Sequence, residues 1–213
     1  MLNQPFSQIL GNGFKRVPKN GQVIFDKQGL PLTEGLKPFG SGISPWTLGF
    51  TNNFRYKQFN LSFLVDAKYG GVIYSGTNAL AYRHGLHKET LAGRESGVVG
   101  QGVTESGALN AVVVPAQTYY NNLYNFAEPF VYSSDFIKLR QVIFGYSIPA
   151  KIFGRTPFKA VSISIVGRNL WTIMKHTPII DPESGYSNSN AQGQEFAGLP
   201  MTRTIGVNLN LKF

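Results

Sequence analysis

Two histidines three residues apart, His84 and His87, with Glu89 close behind, form "HGLHKE", a spacing that could grip a metal ion. A protein metal site needs three or four ligands, and this pair sits in a polar stretch, so two solvated side chains are expected. "DPESGYSNSN" offers Asp181, Glu183, Asn188 and Asn190, hard oxygen donors of the kind Ca²⁺ prefers. They lack the spacing of a calcium loop. "GSGIS" is not a dinucleotide fingerprint, because the third glycine and the strand–helix context are missing. The sequon "NLS" at Asn60 lies inside a strand pattern and is read as chance. Cysteine is absent, which removes disulfides, thiolate metal sites and cysteine nucleophiles together. No Ser/His/Asp spacing stands out either. The expectation is no catalysis, no cofactor and no metal. Tyr82, Tyr119, Tyr120, Tyr124 and Tyr186 are different. Their aromatic faces suit sugar rings or peptide side chains, and suit equally well the packing of loops against one another.

Such residues need a scaffold. The chain has 213 residues, a formal charge of +9 and only 15% charged residues. Lys and Arg are scattered, with no basic run longer than Lys15-Arg16, so nucleic acid is not expected as a partner. Acidic lipid head groups fit better if the chain is membranous. No apolar run is long enough for a spanning helix. The start "MLNQPFSQIL" lacks the basic and apolar regions of a signal peptide. On that reading the protein is cytoplasmic, or Met1 is not the true beginning.

Residues 1–44 are rich in Gly, Pro, Asn and Asp and read as a loop segment, with "QVIFD" as a short strand. The pattern then changes. In "PWTLGFTNNFRY" Trp46, Leu48, Phe50, Phe54 and Tyr56 alternate with polar residues. After Lys57-Gln58 the phase flips, and Phe59, Leu61, Phe63, Val65, Ala67 and Tyr69 become the apolar set. Two alternating runs joined by two residues predict a hairpin with both apolar sets on one face. Alternation returns in "SDFIKLRQVIFGYSIP", where Ile137 and Leu139 are out of phase with Val142, Phe144, Tyr146 and Ile148. A β-bulge near Arg140-Gln141 would bring both sets to one face; otherwise Ile137 and Leu139 face inward. Val161, Ile163 and Ile165 carry the next strand. The last is "RTIGVNLNLKF", with Ile205, Val207, Leu209, Leu211 and Phe213 at every second position.

Five strands are thus predicted, near 46–56, 59–69, 135–148, 158–171 and 202–213. Short connections alternate with long loops at 70–134 and 172–201. Strands of about ten residues, short turns on one side and long loops on the other are the signature of an outer-membrane barrel. "TNALAYRHGLHKETLAGRE" could hold a helical turn or two, and "SGVVGQGVTESGALN" a small hairpin. Trp46, Tyr56, Phe59, Tyr69, Tyr146 and Trp171 lie close to predicted strand ends, where interfacial aromatics are expected. Asn52 breaks the pattern, since it would face lipid in mid-strand.

These stretches, with "NQPFSQILGNGF", "FVYSSDFIKLRQVIFGYSIP", "VGRNLWT" and "LPMTRTIGVNLNLKF", resemble in their order the C-terminal part of SusC/RagA-type TonB-dependent outer-membrane transporters, the nutrient importers of Bacteroidota. The resemblance covers essentially the whole chain. It implies an all-β fold, an antiparallel transmembrane β-barrel portion formed by about the last five strands of a 22-stranded barrel. It implies uptake of oligosaccharides or peptides, a SusD-like surface lipoprotein as partner, and TonB engaged through an N-terminal part. The long loops, with 1–44, would be extracellular and supply the tyrosine contacts, and the C-terminus would be periplasmic. It also implies that Ile205, Val207, Leu209, Leu211 and the terminal Phe213 form the signal read by the outer-membrane assembly machinery.

Family members are several times longer, with a plug domain and many more strands. Bacterial barrels need at least eight strands to close, and an open sheet edge cannot sit in lipid. The expectation is therefore a fragment that is not transport-competent alone. The competing reading is a soluble extracellular β-sandwich module that binds a ligand and buries the same apolar faces as its core.

Overall fold

The computed structural model describes residues 6–154, 156–185 and 192–213. In chain order the elements are β1 (Gln8–Phe14), β2 (Ile24–Phe25), β3 (Thr33–Ser41), β4 (Trp46–Tyr56), β5 (Phe59–Tyr69), β6 (Val72–Ser75), α1 (Gly76–Arg83), β7 (Val103–Thr104), α2 (Ala116–Leu123), β8 (Val131–Ser133), β9 (Phe136–Ile148), β10 (Ala160–Lys175), β11 (Gln194–Glu195) and β12 (Thr204–Lys212). They divide into two units. A sheet unit comprises Ser44–Gly70, Ser134–His176 and Pro200–Phe213. A loop unit holds the chain up to Ile43, with Gly71–Ser133 and Thr177–Leu199. Among the described residues no helix is long and apolar enough to cross a membrane.

The sheet unit is one five-stranded antiparallel sheet in the order β12-β10-β9-β5-β4. Tyr56 pairs with Phe59 around the two-residue turn, and Lys57 takes the positive φ (52°) that such a turn demands. The pairings run unbroken across all five strands. One row is Phe54–Leu61–Phe144–Ile165–Val207, and the next is Tyr56–Phe59–Tyr146–Ile163–Leu209. Between them runs a polar row, Arg55–Asn60–Gly145–Ser164–Asn208. Period-two alternation has become one apolar and one polar face. Both long connections leave the sheet from the end opposite the Lys57-Gln58 turn and the 149–159 connection, as strand direction requires.

The bulge falls at Arg140. Leu64 pairs with Gln141 and Val65 with Leu139, so Arg140 is the extra residue and Ile137 and Leu139 join the apolar face. At the same level β10 is irregular between Arg168 and Trp171, with Asn169 at φ 51°. A Cβ on Gly167 would stand 2.8 Å from the Leu170 side chain, so the glycine makes room for this distortion. The strand then continues to Lys175. Trp171 therefore pairs with Leu139 inside the strand rather than at its end. Asn52 also has an account. It lies opposite Phe63, and the rings of Phe50 and Phe54 both lean on Phe63, 6.2 and 6.1 Å between centroids. Asn52 is half-buried in a strand whose other positions are exposed.

The loop unit overturns the reading of 1–44 as a loop without long elements. β1 and β3 pair antiparallel from Gln8↔Ser41 to Phe14↔Thr33. The buried positions of β1 are Ile9, Gly11 and Gly13, so no apolar alternation shows. A Cβ on Gly11 would lie 2.2 Å from the Cβ of Ala127, so close packing rather than a turn requires that glycine. Glu128 clasps the hairpin: Arg16 Nη2 and Lys37 Nζ approach its carboxylate at 2.6 and 2.8 Å, and the Phe14 amide donates to it at 2.8 Å. Burial pushes the Glu128 pKa up, but the hydrogen bonds from Lys37, Arg16 and Phe14 outweigh it and leave the value below the usual 4.5. A depressed carboxyl pKa stabilises the fold above the unfolded value, and that stabilisation disappears as pH falls through the folded one. Protection of the β1 amides, exchange measured relative to that of the unfolded chain, should thus be flat from neutrality down to about pH 5 and fall below 4.5. Glu128→Gln should remove the acid step and lower protection at neutral pH.

Candidate functional site

The tyrosines expected to contact substrate are brought together by α1 against α2. Ala79, Leu123 and Phe130 form a small core, and Tyr82, Tyr119, Tyr120 and Tyr124 pack around it with Phe14 and Tyr74. Tyr82 meets Tyr120 and Phe130 edge to face, with centroids 5.8 and 5.1 Å apart, and Tyr119 meets Tyr120 likewise at 5.6 Å. The Tyr120 hydroxyl donates to the carbonyls of Glu89 (3.0 Å) and Ala92 (3.2 Å), and the Tyr82 hydroxyl donates to the Glu89 carboxylate. Burial, and then the Glu89 carboxylate, push the Tyr82 pKa far up; burial is also the main cause of the upward shifts at Tyr119 and Tyr120. These phenols stay protonated, and those of Tyr82 and Tyr120 act as donors. Tyr186, Asn188 and Asn190 lie outside the described residues.

The histidines do not behave as a solvated pair. His84 is exposed at the C-cap of α1, while His87 is buried and caps the 3₁₀ turn Lys88–Leu91, its Nδ1 accepting the Glu89 amide at 3.3 Å. Capping engages the Nδ1 of His87, while its buried Nε2 has no hydrogen-bond partner among the described residues. Among the described residues no group of three or more His, Cys, Asp or Glu is placed to hold an ion. Asp181 instead accepts the Glu183 amide on its side chain at 3.0 Å, closing a local turn.

Glu195 escaped sequence reasoning altogether. It is 1% exposed and accepts from Ser75 Oγ (2.8 Å), Thr77 Oγ1 (2.5 Å) and the Gly198 amide (3.0 Å). Ser75 is the N-cap of α1, accepting the Asn78 amide at 3.1 Å. The carboxylate thus lies at the positive end of the helix and fastens the segment of 194–198 to the start of α1.

The sheet unit carries the other candidate surface. Phe50, Phe54, Phe144, Ile163, Ile165, Val207 and Leu209 are all exposed on its apolar face. Aromatics mark both ends: Trp46 pairs with Tyr69 at one, and the Phe59 ring is tilted against that of Tyr146, 4.9 Å between centroids, at the other. On the polar face Arg140 Nε donates to Asp66 Oδ2 at 2.8 Å, with both side chains mostly buried. Lys68, Lys138 and Arg140 surround the buried Phe136 ring at 5.9, 4.9 and 5.6 Å. Asn169 Nδ2 donates to the Thr202 carbonyl at 3.1 Å, tying the "GRNLW" bulge to the segment that leads into β12.

No family model matches the sequence. TonB-dependent receptor P3 of Formosa agariphila is 27% identical over 194 residues, which is 88% of this chain and 18% of that protein. TonB-dependent receptor P39 of the same organism is 24% identical over 204 residues, 93% of this chain and 19% of that one. Over most of its length this chain is similar to TonB-dependent receptors. It spans about a fifth of the length of these curated relatives. Solved structures add the fold. The RagAB peptide transporter superimposes with a TM-score of 0.64 at 16% identity, over 97% of this chain and 23% of that chain. The RagAB peptide importer in its open-open state gives 0.62 at 14% identity, over 96% and 22%. These relatives are receptors and transporters by name, not enzymes.

Proposed function

We propose that this chain is the C-terminal barrel portion of a TonB-dependent nutrient importer, and that β4, β5, β9, β10 and β12 form part of its wall in the outer membrane. The observation that carries the reading is the five-strand apolar face with its large side chains exposed. Soluble monomers rarely leave a contiguous apolar surface of this size open to water. In a sandwich Phe54, Ile165 and Val207 would meet a second sheet. Here they form one open row, which disfavours the soluble binding module. Among the described residues β4 and β12 each have one sheet partner. Lipid offers no hydrogen bonds to the other edges, so further strands must pair there before the wall can sit in a bilayer. Transport therefore requires the rest of a barrel and a plug, and TonB is engaged through that remainder.

In this reading the Lys57-Gln58 turn, the 149–159 connection and Phe213 are periplasmic, and the long connections leave at the extracellular end. Their tyrosines contact an oligosaccharide or peptide, with a SusD-like lipoprotein as the surface partner. The likeness in fold to the RagAB peptide transporter favours a peptide. The expected result on extraction is that the chain requires detergent to remain in solution. A monodisperse monomer in plain buffer would contradict the membrane reading.

A further inference from the structure

α1 and α2 wall a cavity of about 420 Å³ within the loop unit, bordered by Tyr82, Arg83, His84, Arg94, Gln117 and Tyr120. Two guanidinium groups share this cavity, and among the described residues no carboxylate borders it. Of the two carboxylates close in sequence, Glu89 accepts the Tyr82 hydroxyl, and Glu95 does not border the cavity. Arg94 is held by neutral acceptors: its Nε donates to the Thr90 carbonyl at 3.0 Å, and its Nη2 to Thr90 Oγ1 at 3.3 Å and to the Gly85 carbonyl. Those contacts fix the plane of the fork but leave its charge unbalanced. They also leave both Nη1 hydrogens without a protein acceptor among the described residues. Arg83, in the last turn of α1, lies 4.8 Å from the Tyr124 ring centroid and finds no carboxylate among the described residues. Two like charges facing one partly enclosed space repel, and an anion between them removes that cost.

We infer that this cavity binds a carboxylate-bearing group of the transported ligand. The Arg forks match a carboxylate in geometry and in charge. Tyr82 and Tyr120 add aromatic walls against which the ring or chain that bears the carboxylate can lie. The volume holds a sugar residue or a short peptide segment. The same chemistry is supplied by a uronic acid and by an acidic peptide, and the experiment separates them. The inference rests on the transport reading for treating the ligand as cargo, whereas the charge of the cavity does not depend on it.

The test is calorimetric titration of the full chain in detergent micelles with digalacturonic acid and with triglutamate, each beside its neutral counterpart, galactobiose or trialanine amide. One acidic arm should bind and its neutral counterpart should not, and affinity should fall as ionic strength rises. Gln117→Glu, which places a negative charge at the rim, and Arg83→Gln should each weaken binding by about tenfold or more. Arg94→Gln should weaken it further, but it also frees the Gly85 carbonyl, so the first two variants decide. Circular dichroism and amide protection in α1 and α2 are recorded in every case as the check on folding. Equal binding of acidic and neutral ligands, or no binding by a chain whose helices are protected, overturns the inference. A chain that needs no detergent yet binds the acidic ligand would refute the transport reading and leave the site standing.

Discussion

Ile165→Arg should nearly abolish accumulation of the transporter in the outer membrane, whereas Ser164→Arg, one residue away, should leave it close to wild type. The two positions have the same neighbours along the chain and differ in the face they occupy. Ile165 pairs with Phe144 and Val207 in the exposed apolar row, and Ser164 pairs with Gly145 and Asn208 in the polar one. Both lie in the middle of the span that β10 shares with β12. An arginine facing lipid at the midplane costs about 2–4 kcal/mol, and on the water-facing side it costs little. Against a typical net stability of about 5–15 kcal/mol, and during assembly before all strands are paired, that penalty is large. The readout is the outer-membrane fraction with heat-modifiable mobility for both variants. Equal tolerance of the two arginines would show that the apolar face does not meet lipid.

Removing Phe213 should lower outer-membrane abundance severalfold while leaving uptake per inserted molecule unchanged. The side chain is 67% exposed, and its ring lies 5.1 Å from that of Phe158. Burial of a whole large apolar side chain is worth at most about 3 kcal/mol, and this one is mostly uncovered, so a folded barrel survives its loss. On the proposed reading, in which β12 closes the barrel's sequence, a large effect must then act earlier, on recognition of that strand during assembly. β12 suits that role because its Ile205, Val207, Leu209 and Leu211 are all exposed and only β10 pairs with it among the described residues. Abundance and uptake must be measured together. Normal abundance with impaired uptake would show that Phe213 is not an assembly signal.

The strands of the sheet unit were legible because each carries its own information. Alternation over β4 and β5 and the two-residue turn specify the register without knowledge of anything distant, whereas the out-of-phase Ile137 and Leu139 left a bulge near Arg140-Gln141 and two inward-facing residues both open until the pairing of β5 with β9 decided for the bulge. β1 was not legible because its buried face is built from Gly11 and Gly13, selected by the approach of Ala127 from far along the chain. Glu195 was invisible for the same reason: its partners Ser75 and Thr77 are 120 and 118 residues away. The tyrosines stood out by type, yet only the packing of α1 on α2 shows that Tyr82 and Tyr120 border a cavity while Tyr119 supports them. His87 misled because a buried capping histidine and a solvated one look alike in sequence.

The most direct test of the lipid-facing wall is a spin-label scan of β10 and β12 in the assembled transporter. This chain has no cysteine, so it adds no background label to the cysteines introduced within it. Labels at Val161, Ile163, Ile165, Val207 and Leu209 should collide with oxygen dissolved in the bilayer and not with a water-soluble nickel chelate. Labels at Ser162, Ser164, Asn208 and Asn210 should show the reverse, giving two periods of two in antiphase. If the apolar positions were shielded from both reagents, as in the core of a sandwich, the membrane-wall account would be contradicted.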